Sequence, residues 1–182
     1  MFSRIKHSVC LFSVIILLLG CAERSNKAAI LDANADGALL VLNQTYPGAE
    51  ELYQNAAGTL ILPMVSEFGF GLGGAFGRGV LRVNGATVDY FTMVQGSYGL
   101  QMGGQRYSHV LFFMTEESLN AFRDNGGVMF GADAEYAIPT SGYGLRGDDV
   151  SSRSPVVSVI FNETGLKAGV TLSGTKFNRC NP

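Results

Sequence analysis

The sequence is short of the residues that most often carry chemistry. It has two histidines, His7 and His109, and three cysteines, Cys10, Cys21 and Cys180. Only His109 and Cys180 remain as free donors once the N-terminus is processed as described below. That leaves too few N and S ligands for a zinc site and no pair of thiols for an intrachain disulfide. No G-x-S-x-G elbow is present; Gly96-Ser97-Tyr98-Gly99 misses it by one position. Charge is scarce as well, at 15% of residues, and the 13 basic residues form no Lys/Arg run. Gripping a nucleic-acid backbone needs clustered positive charge, so a nucleic-acid partner is excluded. A purely electrostatic hold on anionic lipid is weakened for the same reason.

No apolar run is long enough to span a bilayer, which takes about 20 residues. The longest, Val9 to Leu19, follows Arg4 and Lys6 and ends in Leu18-Leu19-Gly20-Cys21. A basic start, a short apolar core and a small residue before cysteine read as a signal peptide over 1–20 with a lipobox. Cys21 is then the lipidation site and the new N-terminus, with 21–27 as a tether and 28–182 as one domain. More than one acyl chain makes such an anchor stable. Ala22 follows the cysteine, and likeness to proteobacterial lipoproteins places the protein at the outer membrane, facing the periplasm. Cleavage takes Arg4 and Lys6, leaving 11 basic residues against 15 acids and a net charge of −4. Roughly 160 residues remain, enough for a single domain with its own core.

What is abundant is glycine, 24 residues, interspersed with Val, Phe and Tyr. This composition points to a β-rich fold. Ala28 to Tyr46 reads as a helix, with Leu31, Ala35, Ala38, Leu39, Leu42 and Tyr46 on one face, stopped by Pro47. A second helix runs from Ala49 to Ala57. Strand patterns follow at Leu60–Leu62, at Val80–Val83, at Ala86–Gln95 and at Tyr107–Met114, with Asn84-Gly85 as a hairpin turn. Pro63 suggests an edge or a bulge. Thr115-Glu116-Glu117 opens a helix anchored by Leu119 and Phe122. Val128 to Ile138 alternates as one strand, Pro139–Pro155 is a long loop, and Val156–Asn162 and Lys167–Phe177 form two strands turned at Gly165. The class is α+β: two N-terminal helices, one inserted helix, and an antiparallel sheet that is curled or closed in a barrel- or sandwich-like form.

Gly69, Gly71 and Gly74 have the G-x-G-x-x-G spacing of a dinucleotide turn, which requires a helix to begin there. Gly77, Gly79 and the hydrophobic run Val80-Leu81 follow instead, so a strand continues. In a strand, Phe68, Phe70 and Leu72 share one face and Gly69, Gly71 and Gly73 the other. The glycine face is bare, and something can approach it closely: another layer of the protein, or an acyl chain or other flat apolar ligand. For the ligand reading, the contact set is Gly69, Gly71, Gly73, Tyr98, Gln101, Gln105 and Arg106. No catalytic residues, metal or cofactor are expected. His109 reads as a structural residue beside Tyr107 and Leu111; a hydrolase would have to use it with Ser97 or Ser108. The Glu116-Glu117 and Asp148-Asp149 pairs read as a helix cap and a solvated loop.

Several motifs occur together in order: Ala57-Gly58-Thr59-Leu60-Ile61-Leu62-Pro63 before Gly69-Phe70-Gly71-Leu72-Gly73-Gly74; Ser97 through Gln105; Phe113-Met114-Thr115 with Leu119 and Phe122; and Gly174-Thr175-Lys176-Phe177. From about Ala28 to Arg179 the chain resembles the SYLF domain family. The resemblance implies a lipid-binding module without established catalytic residues. Eukaryotic members bind phosphoinositides and some bind actin through basic or amphipathic N-terminal segments, whereas here the first helix carries Asp32 and Asp36. The expected function is non-enzymatic: a membrane-anchored envelope lipoprotein that binds phospholipid or another apolar ligand. The alternative is an adaptor that holds a protein partner at the membrane.

Overall fold

Residues 26–45 form the first helix, α1, as the spacing of its apolar residues requires. Pro47 follows it, and a short second helix, α2, runs Ala49–Asn55. The computed structural model describes residues 26–124, 128–129, 135–137 and 155–181. The expected signal peptide over 1–20, Cys21, most of the expected Pro139–Pro155 loop and the expected helix stop at Gly126-Gly127 lie outside the described residues.

The strands are far longer than the sequence pattern suggests. β1 is Gly58–Val83 and β2 is Ala86–Phe113, joined by the Asn84-Gly85 turn. Both turn residues have positive φ, 51° and 77°, the geometry of a two-residue hairpin. The two strands pair antiparallel from Val83↔Ala86 to Gly58↔Phe113, broken by register shifts that include Leu62/Val65 at Pro63 and Phe70/Leu72. The helix α3, Glu116–Asp124, follows, with the Ser118 N–H donating to the Thr115 hydroxyl at its start. The pattern from Val128 to Ile138 is not one strand. Its described parts are β3, Val128–Met129, and β4, Glu135–Ala137, which pair with opposite ends of β5. β5 itself is continuous, Val156–Cys180, so no turn occurs at Gly165; the chain bends instead near Asn162, whose φ is 56°.

The sheet runs β1-β2-β5-β3, with β4 also on β5, and is antiparallel except for the parallel β4–β5 pair. It is open, not a barrel, because its order ends on β1 without a closing pair. It is nonetheless strongly curled. A straight strand of 26 residues would reach about 85 Å, longer than a domain of this size. β1 therefore doubles back until its first and last thirds touch: a Cβ placed on Gly79 would lie 2.4 Å from the Ile61 carbonyl oxygen.

The curl gives the sheet an outer and an inner face. At the base, both are buried. Ala35, Leu39 and Leu42 of α1 and Leu52 of α2 pack on Ile61, Val80, Phe112 and Val159 of the outer face. Inside, Phe122 of α3 stacks against Phe91, Phe113 and Phe177 at centroid distances of 5.1, 4.8 and 5.6 Å. Polar contacts fix α1. Asp32 accepts from the Thr87 hydroxyl at 2.7 Å and the Tyr90 hydroxyl at 2.9 Å, and Asp36 pairs with Arg82 at 2.6 Å. Burial first, and then the bond to Asp32, push the Tyr90 hydroxyl pKa upward.

Candidate functional site

Away from the base, the helices no longer cover the outer face. Alternation along β1 places Phe68, Phe70, Leu72 and Phe76 there, and all four are exposed, Phe70 to 80%. β2 adds Val94, Tyr98 and Met102 on the same face, with Tyr98 74% exposed. The pairs Phe70↔Met102, Leu72↔Tyr98 and Phe76↔Val94 make these residues cross-strand neighbours. The result is one apolar surface running along the ribbon, larger and more continuous than the scattered apolar residues of an ordinary surface. β5 extends the sheet beside it, with Leu172 in register with Tyr98 and Ala168 with Met102.

Charge on this face has one sign. Neither 68–83, nor 90–113, nor 164–180 contains an Asp or Glu. Arg78 and Arg106 are exposed at its two ends, and Lys176 lies in register with Val94. Scattered in sequence, Arg78 and Lys176 come within two rungs of one another in the folded sheet, while Arg106 stands at the far end. Among the described residues none of the three makes an ion pair, whereas Arg82, Arg123 and Arg179 are each paired with an aspartate.

The residues singled out from sequence divide between the two faces. Tyr98 and Arg106 belong to the outer one. Gly69, Gly73 and Gln105 are on the inner one, where the Gln105 amide donates to the buried Glu67 carboxylate at 3.0 Å. Gly71 sits at a register break with φ +72°, and Gln101 takes a backbone position opposite Gly169. Of this set, Gln105 and Arg106 line one cavity. Close approach over bare backbone does occur, but at Gly77 and Gly79, and the occupant is β1 itself. Gly74 is in mid-strand opposite Gly96, with no helix following, so the dinucleotide turn is absent. The exposed apolar side chains that the sequence reading did not include in its contact set are Phe68, Phe70 and Leu72. Alternation gave their common face, but not that it is left uncovered.

The candidate hydrolase does not assemble. Ser108 donates to the Pro63 carbonyl at 2.8 Å, and Ser97 is buried elsewhere along the ribbon. His109 instead meets Ser158, Nε2 to Oγ at 2.7 Å, inside the curl. Ser158 is 1% exposed, and Nδ1 of His109 has no partner that would orient the ring as a base. Burial alone lowers the His109 pKa to about 4. This is a neutral core histidine.

The molecule is thus an α+β domain that presents a continuous apolar face at one end of a curled ribbon. Residues 94–181 match the model of the Ysc84 (SYLF) family, described as Las17-binding protein actin regulator, and over that stretch the chain is similar to this family. The matched stretch contains Tyr98, Met102 and Arg106, and the β1 motifs precede it. No curated protein matches the chain.

Proposed function

We propose that the protein binds the surface of a phospholipid membrane with the outer face of its β1–β2 ribbon, without catalysing a reaction. A lipid on Cys21 holds it in the bacterial envelope, at the outer membrane facing the periplasm. The observation that carries this reading is the exposure of Phe68, Phe70, Leu72, Tyr98 and Met102 on one face. Insertion of each such side chain into an apolar medium contributes about 1.5–3 kcal/mol. Aromatic rings beside cations suit the bilayer interface, where an apolar body meets a wet polar boundary. The N-terminus argues for a membrane over other apolar partners. Only residues 22–25 separate Cys21 from the helix at 26, so an acylated Cys21 keeps α1 within about 18 Å of the lipid. The likeness to a lipid-binding family supports the same reading.

The chain has no tryptophan, which makes a clean test. Full-length lipidated protein carrying Phe70→Trp is placed in vesicles containing brominated phospholipid. Quenching of the introduced indole is expected, and none for a tryptophan replacing Asn120 on α3. Equal, weak quenching of both would mean that the protein is held by its anchor alone and that the face binds something else.

A further inference from the structure

The apolar face ends in a shallow cavity of about 430 Å³, open to solvent. It is lined by Ser66, Glu67 and Phe68 of β1, by Gly104, Gln105 and Arg106 of β2, and by Thr164 of β5. Resting on the membrane reading above, we propose that this cavity seats the phosphate of a membrane phospholipid, with Arg106 as its cationic partner and the acyl chains running along Phe68, Phe70 and Met102.

The chemistry follows from what surrounds the cavity. A guanidinium offers a planar fork of donors that matches phosphate oxygens. That of Arg106 is exposed and has no carboxylate or other side-chain partner among the described residues. The Ser66 hydroxyl is likewise without a partner among them, and that of Thr164 makes only a long contact, 3.5 Å, to the Arg106 carbonyl. Glu163, exposed, precedes Thr164, and Glu67 is the acid of the lining. Its carboxylate is engaged with Gln105, and the residue is buried. Gly104 adds no side chain to the lining: a Cβ there would meet the Glu67 carbonyl oxygen at 3.4 Å and Phe68 Cβ at 3.9 Å. A phosphate in this seat comes either from lipid or from solution. Phe68 decides for lipid, since one wall of the seat is the first residue of the apolar face and an anion arriving alone would leave that wall unused.

Full-length Phe70→Trp protein in an uncharged sugar-headgroup detergent is titrated with short-chain phosphatidylglycerol, with diacylglycerol of the same chain length, and with inorganic phosphate, reading tryptophan emission. The phospholipid is expected to bind about tenfold more tightly than the phosphate-free lipid, the scale of one charge-assisted contact. Arg106→Gln should erase that difference, and Arg106→Lys should keep part of it. Gly104→Leu, which fills the cavity from a backbone position free of clash, should weaken the phospholipid with the far-ultraviolet dichroism unchanged. Equal binding of the two lipids, or indifference to Arg106→Gln, would overturn the headgroup seat while leaving quenching by brominated lipid, and so the membrane reading, intact. Inorganic phosphate binding as tightly as the phospholipid would identify a soluble anion site instead. If neither lipid binds and brominated lipid does not quench the Phe70→Trp protein, both proposals fall together.

Discussion

Among the described glycines, Gly79 sits under the tightest constraint, because a Cβ there would lie 2.4 Å from the Ile61 carbonyl oxygen, a backbone atom that cannot swing aside. Gly79→Ala should therefore cost about 3 kcal/mol, at the upper end of overpacking penalties. Gly96→Ala, whose Cβ would meet nothing within 4 Å, should change stability by no more than about 0.5 kcal/mol. Urea unfolding midpoints of the two variants decide the point, and similar losses in both would mean that the curl is not limited by backbone contact. His109 sets a different expectation. Its pKa falls from 6.5 to about 4 on folding, so between these values the unfolded chain binds the extra proton. Stability should then be insensitive to this residue above pH 6.5, decline as pH drops toward 4, and level off below it, with a total on the order of 3 kcal/mol. Comparing unfolding free energies of wild type and His109→Gln across that range isolates this part from the carboxylates, which add their own loss. A variant with an unchanged pH slope would show that the ring is not kept neutral by burial.

At the scale of elements, α1 is the part held by side-chain chemistry. Asp32 satisfies both Thr87 and Tyr90, and Asp32→Ala should cost about 1–3 kcal/mol by leaving those hydroxyls without their acceptor. The amides of α1 should exchange faster while those of β2 keep their protection; uniform acceleration would mean that helix and sheet open as one unit. In sequence these acids are visible only as a departure from a basic N-terminal segment, since their partners lie tens of positions away. The helices are legible because 3.6-residue periodicity and caps are local, and Asn84-Gly85 because its positive φ is a property of those two residues. The full strands are not. Leu60–Leu62, the glycine-rich stretch from Phe68 and Val80–Val83 each read as strand, yet nothing local shows them to be one; in a ribbon that must curl, glycine is what lets the strand continue. Likewise, Val156–Asn162 and Lys167–Phe177 look like two strands, and only pairing with β2 along its length shows them to be one. The candidate site is half legible. Period-two alternation separates Phe68, Phe70 and Leu72 from the glycines, but which side is wet depends on how far α1 and α2 reach over the sheet.

For the molecule as a whole, the uncovered face and the N-terminal lipid would act as two attachments of one body. Neither is a stability feature: Phe70 and Leu72 are exposed, so Phe70→Ser with Leu72→Ser should shift the unfolding free energy by no more than about 1 kcal/mol. On the proposed reading their effect falls on membrane contact, where a lipid on Cys21 would raise the effective concentration of bilayer at the face. That contribution falls as the tether grows, roughly as the −3/2 power of its length once it is flexible. Inserting about 40 Gly/Ser residues between Ala22 and Glu23 of the Phe70→Trp protein should thus reduce its quenching by brominated lipid without abolishing it. Adding Phe68→Ser and Leu72→Ser to the lengthened chain should remove what remains, because neither attachment would then press the ribbon to the surface. Quenching that survives lengthening undiminished would show the face to be sufficient by itself, with the lipid serving only to keep the protein in its compartment. Quenching lost on lengthening alone would show that the face has no affinity of its own and rests on the bilayer only because the anchor brings it there.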